Sequence, residues 1–175
     1  MGAYWREQNM ILMLVPTRET AHDSYGDADL GSDSGKATGC GFAEAGYVSY
    51  HVSDVYGNKR YHVSKEFENF DLEKMNNRCK QLGGYLLQPD DTQEGYFAVK
   101  YARRTGWGPF FTGITDKDSE GKFYYYNDNK PAKSITWKWF QPDNWYNEDC
   151  VEVWIDGYND RHCGIRGRYI CEVPA

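Results

Sequence analysis

Four cysteines, Cys79, Cys150, Cys163 and Cys171, lie in the last hundred or so residues of this chain and constrain its fold more than any other feature. None forms a Cys-x-x-Cys pair, so zinc and thioredoxin-like arrangements have little support. An even set without that spacing suits an exported domain held by two disulfides, and four cysteines leave three connectivities open. Cys40 is left over; in an exported protein it suggests a bond to a second chain, and hence a homodimer, or a free thiol. No stretch approaches the roughly 20 apolar residues of a membrane span. Met10–Val15 is apolar, yet short for a signal core of about 7–15 residues and not followed by a small-residue cleavage site, so it reads as a signal remnant or a short strand.

Between the cysteines lies an oxygen-rich segment, Gln141-Pro142-Asp143-Asn144-Trp145-Tyr146-Asn147-Glu148-Asp149-Cys150, with Tyr158-Asn159-Asp160 behind it. Amide and carboxylate oxygens suit Ca²⁺, a hard cation that takes six to eight such ligands at roughly 2.3–2.6 Å. A softer metal would want thiolate or imidazole. The nearby histidine is His162, and the cysteines are assigned to disulfides rather than to a metal.

The chain before these loops divides into a tail and a domain. Residues 1–47 are rich in Gly, Ser and Asp with little apolar surface to bury, so a flexible tail is expected there and a domain over 48–175. Tyr50-His51-Val52-Ser53 recurs as Tyr61-His62-Val63-Ser64 with Gly57-Asn58 between them, a hairpin pattern; its histidines read as packing residues rather than metal ligands. Asp71 caps a helix whose Leu72, Met75, Cys79 and Leu82 share one face and which Gly83-Gly84 ends. Asp91 and Glu94 resemble a capping box opening a second helix through Phe97, Ala98 and Tyr101, closed by Gly106 and Gly108. Strands are expected at Phe110–Ile114, Phe123–Tyr126, Val151–Trp154 and Tyr169–Val173. Helices first and strands after give an α+β domain, with function in the long loops between 115 and 150. The net charge of −6 argues against a nucleic-acid partner. With 6 Trp, 15 Tyr and 8 Phe, the chain has flat amphipathic rings for core, interface or sugar stacking.

From about Lys59 to Pro174 these residues resemble a C-type lectin-like domain, and within that family the collectin group. The resemblance rests on Cys79, Phe111-Thr112-Gly113-Ile114-Thr115-Asp116, Glu120-Gly121-Lys122-Phe123, Gln141-Pro142-Asp143, Glu148-Asp149-Cys150, Tyr158-Asn159-Asp160, Cys163 and Ile170-Cys171-Glu172. It implies the C-type lectin fold: two helices, two small antiparallel sheets, long calcium-binding loops, and disulfides Cys79–Cys171 and Cys150–Cys163. It also implies a secreted protein that binds sugar directly through calcium, with Gln141, Asp143, Glu148, Asn159 and Asp160 as ligands around a cis Pro142.

Gln-Pro-Asp accompanies galactose-type preference in such relatives, whereas Glu-Pro-Asn accompanies mannose, because exchanging donor and acceptor changes which hydroxyl pair is satisfied. The resemblance therefore implies glycans ending in galactose or N-acetylgalactosamine, in a role such as recognition of foreign glycans. Trp145 would stack on the apolar face of the sugar, although the glycine-rich insertion that supports this tryptophan in mammalian galactose receptors is missing. Tyr158 stands where the family usually has Trp. A second calcium site would draw on Asp116, Glu120, Asn144 and Asp149; with Asn144 replacing an acid it should be weaker or empty. The alternative within the same fold is a domain that binds a protein or an ice surface. A two-carboxylate glycosidase is not expected, because calcium ligation would hold those acids ionised.

Overall fold

A computed structural model describes residues 48–175 apart from Asp54; the expected tail, with Met10–Val15 and Cys40, lies outside the described residues. The recurring Tyr-His-Val-Ser segments pair as a hairpin. β1 (Tyr50–Val52) runs antiparallel to β2 (Lys59–Ser64) with Tyr50 opposite Ser64, and the turn passes through Gly57 at φ 59°. After the short β3 (Glu68–Asn69) comes α1 (Leu72–Gln81), opened by Asp71 Oδ1 accepting from Lys74 N at 2.7 Å. Its Leu72, Met75 and Cys79 are buried.

β4 (Tyr85–Leu86) leads to α2 (Thr92–Thr105), where Asp91 Oδ1 accepts from Glu94 N at 2.9 Å and Gly106 ends the helix at φ 65°. The reciprocal half of the expected capping box goes elsewhere: Glu94 Oε2 accepts from Asp90 N at 2.7 Å, and the rest of that carboxylate faces Lys59 and Tyr61.

The strand-rich half follows as β5 (Phe110–Thr115), β6 (Tyr124–Tyr125), β7 (Cys150–Val153), β8 (Tyr158–Arg161) and β9 (Arg166–Pro174). β9 carries the topology. It is antiparallel to β2, β3 and β4, while Phe110 and Phe111 of β5 lie parallel to its Arg168 and Tyr169. β5 in turn is antiparallel to β6 and β7, and β7 to β8. The two antiparallel sheets are thus joined through β9. Tyr158–Arg161 is a strand that the polar Asn-Asp pair concealed at sequence level; its first three residues are buried.

The core has two lobes. Tyr61, Phe110, Ile114, Val151, Tyr158 and Ile170 lie in one. Phe70, Met75, Leu86, Phe111 and Tyr169 fill the other, where Phe70 stacks on Phe111 at 4.1 Å between ring centroids. Cys79–Cys171 ties α1 to β9 across 92 residues, and Cys150–Cys163 ties β7 to the segment after β8 across 13. Closing loops constrains the unfolded chain, so replacing Cys150 and Cys163 together by alanine should lower the unfolding free energy by roughly 2–3 kcal/mol. Urea denaturation measures this, and a loss under about 1 kcal/mol would show that the bond does little for stability.

Between β6 and β7 the chain is mostly loop, and its anchor is β8. Tyr158 N donates to Thr136 O at 2.8 Å and Lys138 N donates to Tyr158 O at 2.9 Å. That short parallel contact delivers residues 139–149 to the outer edge of β8.

Candidate metal centre

β8 supplies Asn159 and Asp160, and the loop pinned beside it supplies Gln141, Asp143 and Glu148. The peptide Gln141-Pro142 is cis. Asp160, 1% exposed, fastens the loop to the strand: its Oδ1 accepts from Asp143 N at 3.2 Å and its Oδ2 from Asn144 N at 2.7 Å. Asn144 Oδ1 then accepts from Glu148 N at 2.8 Å, which turns the chain back toward β7. These bonds draw Asp143, Glu148 and Asp160 together, so that one carboxylate oxygen from each lies within 4.8 Å of the others. Glu148 and Asp160 are buried and Asp143 is exposed.

Gathered carboxylates repel, and this shows in the acid–base state. Burial first, then the charges of Asp160 and Asp143, push the Glu148 carboxyl above its ordinary range. Arg161 Nη1 lies 3.9 Å from Glu148 Oε1, an ion pair without a hydrogen bond. On the same loop, two residues before Asp143, Gln141 Oε1 is buried and has no hydrogen-bond partner. Such an acceptor is costly to bury unless something positive meets it. A hard cation among these oxygens would relieve both the repulsion and the unmet acceptor, so the residues present fit calcium.

Asn159 is oriented by a residue the sequence reading missed. Glu152 of β7, 3% exposed, lies opposite Asn159 in the register of β7 and β8. Its Oε1 accepts from Asn159 Nδ2 at 3.2 Å and from Trp154 Nε1 at 2.6 Å. Asn159 Nδ2 also donates to Asp160 O. The amide nitrogen is therefore engaged by Glu152 and the Asp160 carbonyl, and the amide oxygen is the atom Asn159 could offer to a cation. Alternation of Val151, Glu152 and Val153 in a strand beside an Asn-Asp pair was the available signal.

The residues assigned to a second ion are arranged differently. Asp116 is 1% exposed; its Oδ2 accepts from Gly121 N at 2.8 Å, while its Oδ1 is buried without a hydrogen-bond partner. Burial, with further push from Glu120 and Asp149, raises its carboxyl to about 6. Asp149 Oδ2 accepts from Asn147 Nδ2 at 2.7 Å, and Asn144 is occupied by Glu148 N. Among the described residues these acids do not form a close cluster like Asp143, Glu148 and Asp160.

Trp145 stands in solvent, with its ring 5.2 Å from that of Tyr146. The sequence reading also passed over the neighbouring pair Trp139 and Phe140, both highly exposed. Tyr158, the aromatic before Asn159, is fully buried and belongs to the core.

The lectin C-type domain matches residues 68–173. The chain is 32% identical over 116 residues to collectin-10 of Gallus gallus, covering 65% of this chain and 41% of that protein. It is 31% identical over 99 residues to hepatic lectin of the same species, covering 55% of this chain and 46% of that one. It therefore spans less than half the length of these curated relatives. Among solved structures, the carbohydrate-recognition domain of the mouse scavenger receptor C-type lectin superposes with a TM-score of 0.61 at 27% identity, covering 71% of this chain and 94% of that one. With the fold, both disulfides and a matching region of more than half its length, the chain belongs to the C-type lectin domain family.

Proposed function

We propose that this domain binds carbohydrate through calcium, with galactose or N-acetylgalactosamine as the terminal sugar. The observation that carries the reading is the convergence of Asp143, Glu148 and Asp160, with the unpartnered Gln141 oxygen on the same loop. Gln141, Asp143, Glu148, Asn159 and Asp160 would hold the ion. When bound, calcium supplies charge and open coordination positions for two neighbouring hydroxyls of a sugar. The protein's own atoms then set the choice of sugar: Asp143 and Glu148 accept hydrogen bonds and the Gln141 amide donates. Asp160 and Glu152 hold the loop and Asn159 in place before any ligand arrives, which lowers the cost of ordering them on binding. A second ion near Asp116 would bind more weakly. Glycan-binding relatives and the disulfides support an extracellular setting, and Cys40 in the segment before residue 48 would link two chains and raise avidity.

The test is an exchange of donor and acceptor around an unchanged ion. Gln141→Glu with Asp143→Asn should weaken galactose and admit mannose, measured by competition on an immobilised sugar. Trp145→Ala should separately cost on the order of 1 kcal/mol for galactose and little for mannose, because stacking uses the apolar face that an axial hydroxyl leaves clear. Equal binding of both sugars by the wild-type protein would remove the galactose assignment.

A further inference from the structure

Two short turns flank the Gln141–Asp143 loop, and each carries an aromatic pair at its tip. Gln141 N donates to Lys138 O at 3.1 Å, closing a turn with Trp139 and Phe140 at its centre. Asn147 N donates to Asn144 O at 3.3 Å, closing another with Trp145 and Tyr146 at its centre. Within each pair the rings touch, with centroids 5.5 Å apart in the first and 5.2 Å in the second.

Both turns carry the same two costs. The second aromatic of each lies in the left-handed region, Phe140 at φ 66° and Tyr146 at φ 59°, where a turn ordinarily takes Gly or Asn. Yet the rings gain no burial in return: Trp139 is 81% exposed, Phe140 84%, Trp145 66% and Tyr146 82%. Single exposed hydrophobics are ordinary, whereas adjoining ones mark contact surfaces. Folding accounts for neither the strain nor the exposure.

We propose that these turns are lipid-contacting tips, and that the ligand of this site is a short glycan carried by a lipid in an uncharged bilayer. The inference rests on the sugar reading above and narrows its ligand class. Phe140 is bonded to Gln141 and Asn144 to Asp143, so the chain runs straight from the ligand segment into an aromatic turn at each end. The occupant is therefore polar at its centre and apolar around it. A free monosaccharide offers one apolar face and leaves most of these rings in water. Trp and Tyr rings favour the headgroup level of a membrane, and Phe140, with no polar atom, favours the layer just below. Tips and ligand oxygens belong to neighbouring residues, so a short headgroup lets both reach the layer at once. The net charge of −6, with acids crowded at the loop, disfavours anionic lipid.

The test uses the full chain with calcium and phosphatidylcholine vesicles that contain galactosylceramide. Trp139→Ser with Phe140→Gly should weaken vesicle binding by about tenfold, the ratio that about 1.4 kcal/mol of lost contact produces, and leave retention on galactose–agarose unchanged. Phe140→Gly alone, which relieves the left-handed backbone instead of adding strain, should shift vesicle binding in the same direction. Vesicle binding equal to wild type in both variants overturns the proposal. So does a wild-type protein that is retained on galactose–agarose and ignores the vesicles, or one that binds vesicles lacking the glycolipid equally well. Self-association abolished by the double substitution, with vesicle binding unaffected, would assign the tips to a second copy and also overturn it. Failure of wild type on galactose–agarose is a separate result: it removes the sugar reading, and the lipid proposal falls with it.

Discussion

Chelating calcium should abolish sugar binding by this domain, and Asp143→Ala should abolish it with calcium present while the fold persists. Asp143 is exposed, and its Oδ1 accepts from Trp145 N at 3.3 Å within its own loop. Its loss leaves the two core lobes and both disulfides untouched. It removes one of three acids whose mutual repulsion a cation would relieve. Affinity for the ion should fall in the extracellular range of about 10⁻⁴–10⁻³ M. At a hundredfold excess over its dissociation constant, calcium should add about 2.7 kcal/mol of stability, seen as a raised melting temperature that Asp143→Ala loses.

The same site fixes the sign of the pH dependence. With no ion bound, the Glu148 carboxyl titrates above its ordinary value of 4.5, so its ionised form destabilises the folded state as pH rises through that region. Calcium needs the ionised form, and protons compete for the same oxygens. Apparent calcium affinity should therefore fall as the solution becomes mildly acidic, before an unperturbed carboxylate would titrate. Calorimetry of calcium binding at several pH values checks this, and undiminished sugar binding in chelator would defeat the whole account.

What the sequence revealed and what it hid divide along physical lines. The hairpin, both N-caps and the buried face of α1 were legible because each depends on residues a few positions apart. β8 was not, because the polar side chains of Asn159 and Asp160 break its apolar pattern. Glu152 was hidden for a related reason: its partner Asn159 is set by the register between strands, which local pattern does not encode. Composition marked the oxygen-rich segment 141–150, and the family resemblance picked Gln141, Asp143 and Glu148 out of it. The closure of this loop on Asp160 was not legible, since it uses backbone N–H groups that every sequence possesses. Trp139 and Phe140 were visible as letters, but their exposure follows from a turn that an aromatic at positive φ does not advertise.

Glu94 shows the same limit at larger energetic scale, since local pattern made it a capping residue and the fold makes it part of a buried charge cluster. Lys59 Nζ lies 2.9 Å from Asp90 Oδ2, 2.9 Å from Glu94 Oε1 and 3.0 Å from Glu172 Oε1. The Glu94 and Glu172 side chains are 4% and 2% exposed. Burial opposes the Lys59 charge, yet its bonds to Asp90 and Glu94 hold its pKa above the ordinary value. Burial likewise pushes the Glu172 carboxyl up to about 7. Lys59→Met should cost roughly 3–5 kcal/mol, because removing one partner leaves buried carboxylates with no compensating cation. The defect should depend on pH. In the folded wild type Glu172 keeps a proton that the unfolded chain releases between 4.5 and about 7, so its contribution to stability declines as pH rises through that window. Without the lysine the Glu172 carboxyl should hold its proton to still higher pH, which extends the decline. The loss from Lys59→Met should thus be largest near pH 8 and shrink toward pH 5, and Glu172→Gln added to it should recover part of the loss at pH 8. Urea denaturation at the two pH values measures both effects. A loss below about 1 kcal/mol at pH 8, or one unchanged at pH 5, would mean that water reaches these carboxylates and screens them as it does a surface pair.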